Sequence, residues 1–211
     1  MLKNLGKLSD LVLEGNLISD ITIISENKGV SGKINLKNNP LSNTTYTTHI
    51  PALIKRGITV EYDAAPAGTV TFKDANLEKA IRDALGIPTE LLKKEDLAGL
   101  KELVVKRGIT NFTGIEHCTN LTYLNIDSNQ ISDLSLLANL ANLTALSIDT
   151  NQLTDVSPLT NLANLTQLWL HYNQLSDIGA LANLTNLTWL ELKNNQLNDV
   201  SPLTNLTNPA G

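Results

Sequence analysis

The feature that most constrains this chain is a repeat of fixed length. Leu121, Leu143, Leu165 and Leu187 each open a 22-residue unit, and the four units align without a gap through Asn208. Three further apolar ladders run in step: Leu124/Leu146/Leu168/Leu190, Ile126/Ile148/Leu170/Leu192 and Ile131/Leu153/Leu175/Leu197. The ninth position is always Asn (Asn129, Asn151, Asn173, Asn195), followed by Gln, and the thirteenth is always Asp (Asp133, Asp155, Asp177, Asp199). Leu-x-Leu alternation is a short strand with its apolar side chains on one side. One such unit cannot bury its own leucines, so the units must stack and close a continuous core together. Where the chain turns off each strand, buried N–H and C=O groups need partners. Asn carries both a donor and an acceptor, which suits it to that turn.

Composition follows from this and removes several alternatives. Of 211 residues, 39 are Leu and 25 are Asn, most of them placed by the repeat. A chain that is 42% hydrophobic with net charge −5 is not disordered. Cys118 stands alone, so no intrachain disulfide frames the fold. The acidic balance argues against nucleic acid as a partner. The absence of any run of 18 apolar residues argues against membrane insertion. Met1-Leu2-Lys3-Asn4-Leu5-Gly6 lacks the basic-then-apolar layout of a signal peptide. The Asn-Leu-Thr triplets at Asn142, Asn164 and Asn186 match a glycosylation sequon, but they fall at the junctions between units.

The pattern L-x-x-L-x-L-x-x-N is the signature of a leucine-rich repeat, an α/β solenoid. Residues 100–120 form a degenerate unit, one residue short, through Leu100, Leu103, Val105, Ile109 and Ile115, with His117 and Cys118 in its last turn. Ahead of it, residues 69–99 read as a helical N-terminal cap. Asp74 starts a helix along Leu77, Ala80, Ile81, Ala84 and Leu85, Gly86 ends it, and a second short helix is expected over residues 90–100. Residues 1–63 repeat the strand-and-turn spacing at Leu8, Leu11, Leu13 and Asn16, and again at Ile34, Leu36, Asn39 and Leu41. A short helix stopped by Gly57 and a strand over residues 58–62 complete what reads as a C-terminal cap. Residues 64–68 form a small-residue linker.

Residues 69–208 resemble the cap and repeats of internalin-type bacterial leucine-rich-repeat proteins. The likeness lies in Asp74-Ala-Asn-Leu-Glu-Lys-Ala-Ile81, in Ile115-Glu116 with Cys118-Thr-Asn-Leu121, and in the recurrent Asn-Gln-Leu-x-Asp-Val-Ser-Pro-Leu. Residues 1–63 resemble the last two units and C-terminal cap of similar proteins, through Leu36-Lys-Asn-Asn-Pro-Leu41 and Ile50-Pro-Ala-Leu53. The resemblance implies a right-handed solenoid with a parallel concave sheet, an extracellular or cell-surface setting, and a protein-binding role in adhesion. Members of that family run cap, repeats, cap. Here the tail of one array precedes the head of a second, as in a window cut from a larger protein.

In such a fold the residues between the inward leucines line the concave sheet, and here they vary from unit to unit. Column three reads Tyr123, Ala145, Gln167, Trp189, and column five Asn125, Ser147, Trp169, Glu191. Columns seven and eight read Asp127, Asp149, His171, Lys193 and Ser128, Thr150, Tyr172, Asn194. Both tryptophans of the chain lie on this face in adjacent columns, where a strand spacing of roughly 4.8 Å sets their rings side by side. Exposed aromatics have no folding role and are the residues that anchor interfaces. The candidate contact residues are Tyr123, Asn125, Asp127, Asp149, Gln167, Trp169, His171, Tyr172, Trp189, Glu191 and Lys193. Residues 121–211 carry one Lys against seven Asp and Glu, a bias towards cationic partners.

No catalytic constellation, metal cluster or phosphate loop stands out, and no cofactor is expected. His171 near Asp149 and Asp127 is an acid–base pairing, but on an open sheet it is expected to be fully wet. The expected function is a binding module that recognises a protein, or a glycan stacked on the same tryptophans. The rival is a structural module that self-associates by stacking residues 187–208 of one copy on residues 2–25 of another.

Overall fold

The computed structural model describes residues 8–88, 90–105 and 107–206. The chain divides into two compact units, Met1–Thr71 with Ile87–Lys93, and Phe72–Gly86 with Lys94–Gly211. The interval expected as linker and cap is therefore shared between them.

In the first unit, β1 (Asp10–Val12), β2 (Lys33–Asn35) and β3 (Thr59–Glu61) form a parallel sheet in that order, with Leu11 opposite Ile34 and Ile34 opposite Val60. Two crossovers link these strands. The first carries helix α1 (Thr22–Glu26), and the second a π-helical turn Thr45–His49 running into helix α2 (Ile50–Lys55). Ile21, Ile34, Leu36, Leu41, Ile50 and Leu53 are buried beneath the sheet. Gly32 is obligatory, because its φ is +75° and a Cβ there would meet the Ser9 carbonyl oxygen at 1.8 Å. The Arg56 guanidinium donates to the carbonyls of Ser25, Asn27 and Val30, tying the end of α2 to the first crossover.

The second unit opens with helix α3 (Ala75–Leu85). Asp74 Oδ1 accepts from the N–H groups of Asn76 and Leu77, and Gly86 follows in the left-handed conformation. The other carboxyl oxygen of Asp74 accepts from the Thr110 N–H at 2.8 Å, so one side chain starts the helix and pins the turn of the degenerate unit. The second helix, α4, is confined to Lys94–Ala98. The expected start at residue 90 fails because Leu92 and Lys93 are engaged elsewhere: the Leu92 carbonyl accepts from the Val70 N–H, and Thr69 and Lys93 form an antiparallel bridge within the first unit.

Strands β4 (Glu102–Val104), β5 (Tyr123–Asn125), β6 (Ala145–Ser147), β7 (Gln167–Trp169) and β8 (Trp189–Glu191) then form one parallel sheet in sequence order. The register sets Leu103, Leu124, Leu146, Leu168 and Leu190 side by side. Short 3-10 turns, such as Ser135–Leu137 and Ser157–Leu159, return the chain from strand to strand. Leu124, Leu146 and Leu168 are fully buried, while Leu190 and Leu192 in the last described unit are half-buried. Two residues of the self-association scheme's interface, Thr207 and Asn208, and residues 2–7 lie outside the described residues.

Hydrogen bonds that recur from unit to unit follow four ladders. Asn151 is typical of the first: its Oδ1 accepts from the Ile131 N–H, and its Nδ2 donates to the carbonyls of Ile126, in the unit before, and Ile148, in its own. Asn129, Asn173 and Asn195 repeat this, and Asn39 does the same in the first unit. The side chains thus bond backbone, not one another. In the second ladder Asp133, Asp155, Asp177 and Asp199 each accept the N–H two residues on, opening the 3-10 turn. The junction triplets supply the other two. Asn142, Asn164 and Asn186 donate to carbonyls of the preceding unit, and so do the hydroxyls of Thr144, Thr166 and Thr188.

The eighth position has a conformational role that its variable side chains conceal. Ser128, Thr150, Tyr172 and Asn194 all have φ between +51° and +58°, as does Asn38, while Gly15 is at +72° and Arg107 at +70°. The left-handed residue swings the chain off the strand while its N–H still pairs forward, as Thr150 does with the His171 carbonyl at 2.8 Å. Glycine and asparagine adopt this conformation readily, whereas the β-branched Thr150 and bulky Tyr172 hold it under strain.

Candidate partner-binding face

The register places the candidate residues on the exposed side of strands β5 to β8 and on the turns just after them. Trp169 lies opposite Glu191 and Trp189 opposite Gln167, so the two indoles are diagonal neighbours. They do not form the ring pair expected from their columns. Among the described residues, the rings in contact are Tyr46 with Tyr62 and His171 with Tyr172. Trp189 and Tyr172 are about half exposed, at 52% and 53%, while Trp169 and Tyr123 are half-buried.

A continuous polar chain crosses the face instead. Asn125 Nδ2 donates to Asp127 Oδ2 at 2.8 Å, and Asp127 Oδ1 accepts from Ser147 Oγ and the Asp149 N–H. Asp149 Oδ1 accepts from the His171 N–H at 2.6 Å, and its other oxygen is 3.9 Å from His171 Nε2. The same imidazole nitrogen is in direct contact with Glu191 Oε2, and Glu191 Oε1 accepts from the Trp189 indole N–H at 2.7 Å. Asn125, Asp127, Asp149, His171, Glu191 and Trp189 are thus brought into one network. Tyr172 flanks it through the ring of His171. Tyr123, Gln167, Trp169 and Lys193 share the face but not the network.

His171 is not fully wet, contrary to its placement from sequence. Its side chain is only 18% exposed and that of Asp149 24%, because carboxylates from the strands on either side and the Tyr172 ring enclose the imidazole. Burial holds the Asp149 carboxyl above its usual range, against the opposing pull of the His171 N–H and the His171 charge. Asp127 and Asp149 are partly structural, since each serves the backbone N–H of the next unit. Ser147 was missed by sequence reasoning. It is buried and donates to Asp127, and nothing in its variable column marks it out.

Asp127 serves the concave face, Asn129 the backbone of two units and Asp133 the turn after the strand. Among the described residues, no three His, Cys, Asp or Glu side chains are grouped to hold a metal. Cys118 is fully buried, and burial pushes its thiol up to about 12.

The structure does gather one constellation that spacing did not suggest. In the first unit His49 Nδ1 is 2.9 Å from Ser25 Oγ, and its Nε2 is 3.0 Å from Thr22 Oγ1. Ser25 also donates to the Thr22 carbonyl, and Thr22 to Asp20 Oδ1 at 2.6 Å. With its hydroxyl proton committed to the Thr22 carbonyl, Ser25 accepts from the ring of His49, a bond that ties α1 to the π-helical turn and does not activate Ser25.

The comparisons with known proteins agree with this architecture. The family model of leucine-rich repeats in two copies matches residues 119–161 and 141–183. The crystal structure of an internalin, InlF, from Listeria monocytogenes is similar at 45% identity with a TM-score of 0.62, over 64% of this chain and 41% of that one. The functional domain of InlJ from the same organism is similar at 36% identity with a TM-score of 0.59, over 64% of this chain and 30% of that one. That domain is described as including a cysteine ladder, whereas this chain has a single cysteine. No curated protein matches the chain. The chain spans less than half the length of either solved relative. Its parallel sheet, its stacked leucine ladders and these two likenesses place it among the internalin-type leucine-rich-repeat proteins.

Proposed function

We propose that this chain is a protein-binding module of a bacterial surface or secreted protein, and that it engages its partner through the concave face of β5 to β8. The observation that carries the reading is the exposure of Trp189 and Tyr172, on a face where the fold needs no aromatic residue. The four ladders account for the repeated Asn, Asp and Thr residues, and these aromatics belong to none of them. Tyr172 occupies a left-handed position that costs stability, which supports its retention for contact and not for folding. Within this reading the 22-residue units form a right-handed solenoid, and α3 with Asp74 caps its first strand. The face binds and does not catalyse. A glycan stacked on the same indoles remains a second ligand class for the same test.

The test is the double change Trp169→Ala with Trp189→Ala, followed by capture of partners from cell-surface extracts. Capture is expected to be lost while the unfolding midpoint stays within a few degrees. Capture that survives the double change would overturn the reading.

A further inference from the structure

Trp189 is exposed, yet it is not free to turn. Its indole N–H donates to Glu191 Oε1, and the second oxygen of Glu191 contacts His171 Nε2. A carboxylate with one oxygen on each neighbour couples the two, because fixing one oxygen against His171 holds the other in place for the indole N–H. Histidine is the side chain whose charge changes between about pH 5 and 8, and an ionised donor makes a hydrogen bond roughly twice as strong as a neutral one. Three other charged residues lie near His171 on this face, two of them held in the same chain of bonds. Asp149 approaches from the β6 side, Asp127 stands one unit further along, and Lys193 follows on from β8.

We infer that His171 is a positioning residue which, through Glu191, sets the orientation of the Trp189 indole and makes this face proton-gated. Protonated His171 holds Glu191 as an ion pair, and Glu191 then presents the indole in one orientation. As pH rises and the imidazole loses its charge, the hold on Glu191 weakens and the indole loosens. Because the indole N–H is already taken, the part of Trp189 offered to a partner is the ring face. The group received there is apolar or cationic, not a hydrogen-bond acceptor. The inference rests on the concave-face reading for its bearing on binding, but not for its physics.

The experiment needs no partner. The full chain is labelled with 15N, and the two indole N–H resonances are assigned with Trp169→Phe and followed from pH 5 to 8. The Trp189 resonance is expected to shift along a one-proton curve, with solvent exchange slowed several-fold at the acid end after correction for base catalysis. Trp169 is not expected to follow. His171→Gln and Glu191→Gln should each abolish the curve, and the second guards against a folding defect in the first. A Trp189 resonance that is flat with pH in the unaltered protein, or a curve that persists in His171→Gln, would overturn the inference while leaving the capture result untouched. A full curve alongside capture that survives loss of both tryptophans would instead sink the concave-face reading alone.

Discussion

Polar side chains on the turn side of the regular array and those on its concave face sit only a few residues apart in sequence, yet they obey different rules. On the turn side each side chain bonds backbone atoms, the pattern recurs in every unit, and Asn129, Asn151 and Asn173 are buried. On the concave face the side chains of Asn125 and Ser147 bond Asp127, and those of His171 and Trp189 bond Glu191; these pairings differ between units, and only the acceptance of the Asp149 and His171 N–H groups recurs. The first pattern is a condition of stacking. The second is free to differ between units, so it is where a binding preference can be written.

The comparison is most easily broken at Asn151. Asn151→Ala leaves the Ile131 N–H without a partner in a dry turn and takes one of two side-chain donors from each of the Ile126 and Ile148 carbonyls, which Asn129 and Asn173 still serve. A loss of about 3 kcal/mol is expected in urea unfolding, at about 1–3 kcal/mol for a buried polar group left unsatisfied. A loss below about 1 kcal/mol would mean that the ladder is ornamental.

Next in size is relief of strain. Asn occupies the left-handed position at Asn38 and Asn194, so Thr150→Asn and Tyr172→Asn should each raise stability by about 0.5–1 kcal/mol. Under the proposed function Tyr172→Asn also weakens partner capture and Thr150→Asn does not. On the face itself, Trp189→Ala should change unfolding by less than about 0.5 kcal/mol, as for exposed side chains generally.

The smallest effect concerns the Asp ladder. Hydrogen bonds from the Ser157 N–H and hydroxyl hold the Asp155 carboxyl below its usual range, and Ser201 does the same for Asp199. A carboxyl lowered in the folded state contributes stability that is fully present above the unfolded value near pH 4. That contribution is lost as pH falls through the folded value. Melting curves of Asp155→Asn should therefore lie below those of the unaltered protein at pH 7 and converge with them towards pH 2. An offset that is constant with pH would contradict the assignment.

How much of this was legible depended on whether a residue acts through its own identity or through its neighbours. The core ladders, the Asn and Asp ladders, the Asp74 cap and the Gly57 stop are local chemistry repeated or placed at fixed spacing, and they read directly. The eighth position did not, because the backbone imposes its left-handed φ on Ser128, Thr150 and Tyr172 alike. The Asn-Leu-Thr triplets were visible as junctions, but their role needed the preceding unit's carbonyls. The chain from Asp149 through His171 to Trp189, and the grouping of Ser25 with His49, depend on side-chain directions across strands or crossovers, which spacing does not carry.

The backbone-directed ladders have a consequence for how such a chain changes over generations. Asn151 recognises main-chain atoms that every unit possesses, so one unit places no demand on the sequence of the unit before it. Whole units can be duplicated, deleted or exchanged by recombination without disturbing a ladder bond. What would be severed are the side-chain linkages between adjoining units, those of Asp127 with Ser147 and of His171 with Glu191. Gene rearrangement in this molecule would therefore leave the scaffold intact and reshuffle the side-chain linkages of its concave face.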